Sequence, residues 1–413
     1  MRKLLLLMLL VSGQLYSQTD TTRLSCMNDS MNFIQNASGL NTFKKALQQL
    51  QLGQTGTVSI VHMGDSHVQA GFFTAPIRST LQARYGNAGR GLVFPYQAAG
   101  TNGPNDYSFS SASVWKARRN CINKGNLPTG IAGHVIHSSQ RSAKLYFKPR
   151  DRQAIGQSQR IVLYHASRAD SNFTYQLSDS LGKPVAEFDS LASSPMRSVF
   201  TMARPVYSWK ILNDSILKTG RSSTLFGVSM ENAQPGVRVH TIGVNGAEYQ
   251  HYLHSEFFQQ ELGELGAQLV IISLGTNEAY NTGSFDSLAF EASVDSFLTV
   301  VQTTLPNASI LLTTPPGIGQ AIRVRTKKKR RAYAYVENKN VAVVCDILKR
   351  QAIRHSAAIW DFYQAMGGYN SMRVWAAQGL TDKKQIHFSR KGYYMQGTLL
   401  MKALDLEINP VAR

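Results

Sequence analysis

The alternation of apolar strands with helical segments constrains the fold of this chain more than any other feature of its sequence. A buried strand is predicted at 58–63, and a helical pattern follows it at about 70–85. After Gly236 the alternation returns, with strands predicted at 237–241, 268–274, 309–313 and 358–362 and helices at about 247–262, 285–303, 340–355 and 390–406. Because such strands pair in parallel and are covered on both faces, the sequence predicts an α/β fold, a three-layer α/β/α domain with a parallel sheet.

The middle of the chain has a different pattern. At 107–235, short alternating runs such as 160–164 are separated by Ser, Gly, Asn and Pro. Short strands broken by turn residues are typical of a β-sandwich. A chain of 413 residues is also long enough for two domains. We therefore predict that 18–106 and 236–413 form one domain and that 107–235 is a β-sandwich module inserted between them.

The N-terminus has the pattern of a secretory signal peptide. Arg2 and Lys3 supply the positive start and are followed by an apolar stretch at 4–11. Ser17 is a small residue at the cleavage point. The apolar stretch is too short to span a bilayer, and no later segment of the sequence is long enough. Residues 1–17 are therefore predicted to be removed from an exported protein, periplasmic or secreted, without stable membrane insertion.

The chain is strongly basic, with 44 Lys and Arg against 25 Asp and Glu and a formal charge of +19. On an exported protein, this excess indicates either anionic partners such as cell-wall polymers or simple solubility. The densest basic run, at 327–331, resembles a nucleic-acid-binding segment. The export signal and the lack of an interleaved base-stacking motif argue against that partner, so no nucleic acid is expected.

The sequence offers no convincing metal or cofactor site. Cys26, Cys121 and Cys345 form no C-x-x-C pair. His251 and His254 lie one helical turn apart, but no third ligand is evident. We expect no metal and no cofactor. A Cys26–Cys121 disulfide is compatible with an oxidising compartment, although the spacing does not support it.

Polar residues stand at four points where predicted strands end. The first strand ends in Gly64–His67, the second in 242–246 and the third in 274–278, and 385–389 precedes the last helix. Ligands of such sheets bind at the carboxyl ends of the strands. The four loops are therefore expected to meet at one edge of the sheet.

Together these loops carry what acyl transfer requires. Ser66, at a strand-to-helix turn, supplies a nucleophilic hydroxyl, and His387 is the candidate general base. The oxyanion hole is predicted from three donors, namely the N–H of Ser66, the N–H of Gly243 and the side chain of Asn277.

The same four blocks, in this order and spacing, resemble those of the SGNH/GDSL hydrolases. Gly64–His67, 275–279 and 386–393 further resemble the bimodular peptidoglycan O-acetylesterases. The resemblance implies a flavodoxin-like hydrolase domain with a carbohydrate-binding-like β-sandwich inserted after the nucleophile block. It also implies removal of acetyl groups from the 6-hydroxyl of N-acetylmuramic acid.

One position departs from the family pattern. The family carries Asp three residues before the catalytic His, where it orients the imidazole, and this chain has Lys384 there. Asp382, five residues before His387, reaches the ring if the loop bends. Three interpretations follow: Asp382 replaces the usual Asp, a Ser–His dyad suffices, or the enzyme is weak or inactive. We adopt the first as the prediction.

Four further residues near the blocks have structural interpretations. His67 is expected to support the site without contacting substrate, and Asp65 to fix its loop by accepting hydrogen bonds. His62 is expected to be a packed core residue. Glu278 either binds a sugar hydroxyl or pairs with a cation, and the sequence does not decide between these roles.

The predicted function is thus serine esterase action on an acetylated glycan, with peptidoglycan as the first candidate. One alternative is an acetyl esterase that acts on other polysaccharides. Another, kept open by Lys384, is a carbohydrate-binding protein that retains the fold and has lost the chemistry. The sequence does not indicate the oligomeric state.

Overall fold

The structure is a computed structural model that describes residues 24–409 without 55, 123–124, 141, 167–173, 215–221 and 326–330. The predicted signal peptide and residues 327–330 of the basic run lie outside the described residues. In chain order the strands are β1 (Ile34–Gln35), β2 (Thr57–Gly64), β3 (Gly91–Val93), β4 (Tyr107–Ser110), β5 (Lys116–Arg119), β6 (His134–Ser138), β7 (Lys144–Pro149), β8 (Ser158–His165), β9 (Thr174–Ser178), β10 (Ala186–Ser194), β11 (Arg197–Val206), β12 (Trp209–Asp214), β13 (Ser223–Glu231), β14 (Gly236–Gly243), β15 (Leu269–Ser273), β16 (Ser309–Thr313), β17 (Gly319–Arg325), β18 (Arg331–Glu337) and β19 (Ala358–Trp360).

The helices alternate with the strands in the two outer parts of the chain. In chain order they are α1 (Asn41–Gln51), α2 (Ser66–Gln69), α3 (Thr74–Tyr85), α4 (Arg152–Ile155), α5 (Tyr249–Leu253), α6 (Phe258–Leu265), α7 (Thr276–Tyr280), α8 (Ser287–Thr304), α9 (Asn340–Arg354), α10 (Phe362–Ala365), α11 (Ser371–Ala377) and α12 (Arg390–Ile408). Short 3-10 turns at Asp29–Met31 and Ala37–Leu40 precede α1.

The central sheet has six strands in the order β1-β19-β16-β15-β2-β14. The five strands from β19 to β14 run parallel, and β1 pairs antiparallel with β19 at the edge. The five parallel strands are those predicted from the apolar runs. The two-residue β1 was not among the predicted strands, because it is too short to leave a periodic signal.

Alternate residues of the parallel strands pack into two separate cores. Ile60 and Ile271 face a core that contains α1, α3 and α12. Met63 and Ile272 face the other core, which contains α5, α6, α8 and α9. Strand residues alternate between faces, so apolar side chains at every position require helices on both sides. This arrangement confirms the three-layer α/β/α fold.

The middle of the chain forms two antiparallel sheets, one of seven strands and one of four. Trp209 stacks on Phe147 within the smaller sheet, at 4.8 Å between ring centroids. The two sheets meet where Tyr175 contacts the ring of His165 and the hydroxyl of Ser223. The antiparallel sheets confirm an additional β module, as predicted.

The module is packed against the hydrolase sheet. Val61 and Met63 of β2 belong to the same apolar core as Leu163 and Phe226 of the module. Strand β3 also pairs with β13, so the larger antiparallel sheet includes residues that precede 107. The boundaries of the module at 107 and 235 stay a prediction.

Several sequence-based expectations concern features other than the fold. Cys26, Cys121 and Cys345 are free thiols in the structure, so it contains no Cys26–Cys121 disulfide. Within the described residues, no helix combines the length and apolarity that crossing a membrane requires. The same residues include no cluster of three or more side chains suited to a metal ion.

Candidate active site

Ser66 lies two residues after the end of strand β2, at the edge of the sheet formed by the carboxyl ends of the parallel strands. The buried side chain of Asp65 caps α2 by accepting a hydrogen bond from the N–H of His67 at 2.8 Å. Ser66 is the first residue of α2, so its own N–H has no acceptor within the helix. A side chain at Gly64 would place Cβ 2.5 Å from the carbonyl oxygen of Ser273, which explains the glycine before the turn.

The hydroxyl of Ser66 lies beside the imidazole of His387. The distance from Ser66 Oγ to His387 Nε2 is 2.9 Å, within hydrogen-bond range. These two residues are 321 positions apart in the chain. Their contact therefore depends on the parallel sheet, which brings β2 and the loop before α12 to the same edge.

The loop before α12 folds back so that Asp382 reaches His387. Asp382 Oδ2 lies 3.5 Å from His387 Nδ1. Asp382 Oδ1 accepts hydrogen bonds from the N–H groups of Ile386 and His387 at 3.0 and 3.4 Å. The N–H of Asp382 donates in return to the carbonyl of His387 at 2.7 Å. The carboxylate is thus held by the backbone on the side of the ring opposite to Ser66.

Gln385 completes this reversal of the chain. Its φ of 56° lies in the left-handed region, which a non-glycine residue rarely adopts. The carbonyl of Gln385 accepts a hydrogen bond from the N–H of Gly319 at 2.7 Å. The tight turn explains how Asp382, two residues before the family position occupied by Lys384, comes to face the imidazole.

Asn277 is the second residue of α7 and lines the same cavity as Ser66 and His387. Its side-chain Nδ2 donates to the carbonyl of Ala247 at 2.8 Å and lies 3.5 Å from Asp65 Oδ2. Burial raises the pKa of Asp65 to about 7, while the N–H of His67 opposes the shift. The Asn277 amide is therefore held by Ala247 and Asp65 in the wall of the cavity that contains Ser66.

The predicted oxyanion donor Gly243 is not brought into the cavity. It is buried against α2, where a Cβ would lie 2.2 Å from the backbone nitrogen of Gln69. Gly246, three residues later, is exposed and lines the cavity together with Ser66 and Asn277. The sequence analysis did not single out Gly246, although the Asn-Gly pair at 245–246 is a recognisable turn signal.

The side chain of Gln69, in α2, connects the loop that carries Gly246 to the loop around Asn102. Its Oε1 accepts a hydrogen bond from the N–H of Asn245 at 2.6 Å, and its Nε2 donates to the carbonyl of Asn102 at 2.7 Å. The side chain of Asn245 donates to Asn102 Oδ1 at 2.7 Å. The backbone around Gly246 is therefore held in place by a network that starts from the nucleophile helix.

A cavity of about 630 Å³ opens above Ser66 and His387. Its rim carries two arginines, Arg119 from β5 of the module and Arg390 from α12. Arg390 lies over the ring of Phe72 at 5.1 Å. Among the residues that the structure describes, no carboxylate lies within 4 Å of either guanidinium. The cavity therefore has two cationic groups available to a ligand, one of them supplied by the module.

His62 and His67 are buried histidines that contact neighbouring hydroxyl groups. His62 is buried between Ser273 and Thr74 at 3.0 and 2.9 Å, and burial lowers its pKa to about 3. His67 contacts the hydroxyl of Tyr393 at 3.1 Å, and burial, with a smaller contribution from His387, lowers its pKa to about 3. Both histidines are thus neutral near pH 7, as a core and a supporting role require.

The carboxyl of Glu278 faces the backbone rather than a cation. Its Oε1 accepts a hydrogen bond from the N–H of Tyr249 at 3.0 Å, and burial raises its pKa to about 8. His251 accepts from the N–H of Glu248 at 2.9 Å and so caps α5. Neither residue contributes to the cavity above Ser66.

Part of the chain matches a known protein family. The model of the GDSL-like lipase/acylhydrolase family matches residues 218–395, a range that contains Asn277 and His387 but not Ser66. No curated protein matches the chain.

Three solved structures illustrate the likeness. A peptidoglycan O-acetylesterase superposes with a TM-score of 0.73 at 23% identity, covering 90% of this chain and 97% of that chain. A lipase/acylhydrolase from Enterococcus faecalis gives 0.29 at 17% identity, covering 42% and 76%. An acetyl xylan esterase gives 0.31 at 17% identity, covering 41% and 80%.

The chain therefore has the SGNH-hydrolase fold, and residues 218–395 of it match the GDSL-like lipase/acylhydrolase family. Its resemblance to the peptidoglycan O-acetylesterases is confirmed in the fold, because the first of these structures superposes on 90% of the chain and so covers the hydrolase domain and the β module together.

Proposed function

We propose that this protein is an exported serine esterase that removes O-acetyl groups from a cell-wall glycan, with peptidoglycan carrying 6-O-acetyl N-acetylmuramic acid as its substrate. The observation that carries the proposal is the 2.9 Å contact between Ser66 Oγ and His387 Nε2 at the floor of an open cavity. A nucleophile paired with a base in this way is the arrangement that acyl transfer requires.

The reaction proceeds in two steps. His387 Nε2 takes the proton of Ser66 as Oγ attacks the acetyl carbonyl carbon, and the carbonyl oxygen becomes an oxyanion. The bond from that carbon to the sugar oxygen then breaks, and His387 returns the proton to the sugar hydroxyl. In the second step His387 deprotonates a water that attacks the acetyl–Ser66 ester, which releases acetate and restores the Ser66 hydroxyl.

Three groups stabilise the oxyanion in this proposal. The N–H of Ser66 and the side chain of Asn277 are two of them. For the third, predicted to be Gly243, the lining of the cavity supports Gly246 instead, since Gly243 is buried under α2. The network around Gln69 favours Gly246 further, because it fixes the adjacent N–H of Asn245.

The charge of the cavity supports an acidic glycan over a neutral one. Arg119 and Arg390 flank the nucleophile without a carboxylate partner among the described residues. The lactyl ether of muramic acid carries the stem peptide, whose side chains and terminus include carboxylates, or a free carboxylate where the peptide is absent, so peptidoglycan offers anionic groups near the ester. Acetate release from O-acetylated peptidoglycan and from acetylated neutral xylan, measured side by side, tests this choice, and faster release from xylan would contradict it.

Asn277→Ala should lower kcat on an aryl acetate by about 100- to 1,000-fold and change KM far less, because the amide donates most strongly once the oxyanion has formed. Steady-state kinetics separate the two parameters. Asn307→Ala, which makes the same change at an exposed turn, is the control. A rise in KM at constant kcat would show that Asn277 binds ground-state substrate instead.

Arg119→Gln should raise KM for O-acetylated peptidoglycan about fivefold, because a solvent-exposed charge pair contributes ~1 kcal/mol. The effect should diminish at high salt. Lys116→Gln removes the same charge from the same strand, three residues away and outside the cavity, and should leave KM unchanged. Equal KM values for the two variants would exclude Arg119 from substrate binding.

A further inference from the structure

Strands β17 and β18 form a separate two-stranded hairpin that the sequence analysis did not predict. All seven residue pairs, from Gly319↔Glu337 to Arg325↔Arg331, are in register. The base of the hairpin stands on the loop that carries His387, because a Cβ at Gly319 would lie 2.7 Å from the side chain of Gln385. Asn338 fixes the same end by donating to the carbonyl of Ala279 at 2.7 Å.

One face of the hairpin carries aromatic and basic side chains. Tyr333 and Tyr335 lie on the same face because strand residues alternate, and they stand about 7 Å apart along the strand. Arg323 pairs with Tyr333 and so shares this face. Tyr333 is 70% exposed, which is unusual for a large aromatic side chain.

This face continues into the active site. Tyr335 lines a cavity of about 370 Å³ together with Tyr280, Lys384 and Ile386. The same three residues also line a cavity of about 520 Å³ that contains Ser66 and His387. Since the two cavities share part of their walls, they form one surface, here called the hairpin groove, that runs from the nucleophile to Tyr335. Tyr333 stands next to this groove, on the same face of the hairpin.

We propose that the hairpin groove binds the glycan chain on one side of the acetylated sugar. Exposed tyrosine rings present apolar faces and a polar hydroxyl, a combination that suits the apolar face and hydroxyl rim of a sugar ring. Lys384 and Arg323 add positive charge, which favours an acidic polysaccharide. The inference rests on the proposed esterase function, and it gives Lys384 a role in the groove rather than beside the imidazole.

Binding to the polymer tests the groove without depending on turnover. In the full-length Ser66→Ala protein, cosedimentation with insoluble O-acetylated peptidoglycan should show an apparent Kd raised at least about fivefold by Tyr333→Ala together with Tyr335→Ala. Tyr369→Ala, at a tyrosine that is 67% exposed but lines none of these cavities, should bind like the Ser66→Ala parent. The thermal unfolding transition of each variant is compared with that of the parent.

If the double variant unfolds early, Tyr333→Ala alone keeps the test valid, because removal of a side chain exposed to this degree leaves the core intact. Failure of the Ser66→Ala protein to sediment, or equal affinity of the tyrosine variants and the Tyr369→Ala control, overturns the groove. Hydrolysis of an aryl acetate by the protein with Ser66 intact separately decides the esterase function, so the two failures are distinguishable.

Discussion

Ser66→Ala should abolish ester hydrolysis, lowering kcat/KM on an aryl acetate by at least about 10⁴-fold. The hydroxyl is the attacking atom, and the acyl-enzyme does not form without it. The change removes one partly exposed oxygen and no core volume. The free energy of unfolding should therefore stay within about 0.5 kcal/mol of the parent value.

The decisive measurement is turnover of the aryl acetate by parent and variant, with thermal unfolding measured on both. Ser79→Ala, which makes the same change at an exposed position of α3, controls for the loss of a hydroxyl as such. Retained hydrolysis in Ser66→Ala would disprove the nucleophile assignment. Absence of turnover in the parent as well would favour the carbohydrate-binding alternative.

The parallel sheet was predictable because its strands are apolar at nearly every position. A strand buried on both faces, such as 269–273, leaves a continuous apolar run that few other structures produce. The β17–β18 hairpin was not predictable on the same grounds. In its strands, uncharged residues are interrupted by charged ones, so no continuous apolar run marks them. The hairpin is stabilised at its base by contacts with Gln385 and Ala279, and both of these residues lie outside the hairpin in the sequence.

The site was predictable to the extent that its residues follow strands. Ser66 and His387 were found because the carboxyl ends of parallel strands share an edge. The choice between Gly243 and Gly246 required the packing of α2, since both glycines follow the same strand. Arg119 was beyond sequence reasoning, because β5 reaches the cavity only through the packing of the module against the hydrolase sheet. The module therefore contributes to the wall of the cavity.

The position of Asp382 favours a triad over a dyad. Its Oδ2 lies 3.5 Å from His387 Nδ1, longer than an ideal hydrogen bond, but catalytic contacts often tighten when substrate binds. Its Oδ1 is held by two backbone N–H groups, which orient the carboxylate before substrate arrives. A Ser–His dyad does not require an ordered carboxylate beside the imidazole.

Asp382→Asn should therefore lower kcat by about 10³- to 10⁴-fold, because an amide neither stabilises the imidazolium nor enforces the required tautomer. Asn retains an oxygen that accepts from the N–H of Ile386, so the loop and the unfolding temperature should be preserved. Lys391→Gln, at an exposed position of α12 that lines neither cavity around Ser66, is the control for a change of charge close to the site. A near-silent Asp382→Asn variant would establish the dyad instead. In that case Lys384→Asp, which restores the family's carboxylate, should raise activity above the parent, whereas with Asp382 as the orienting group it should raise kcat little or not at all.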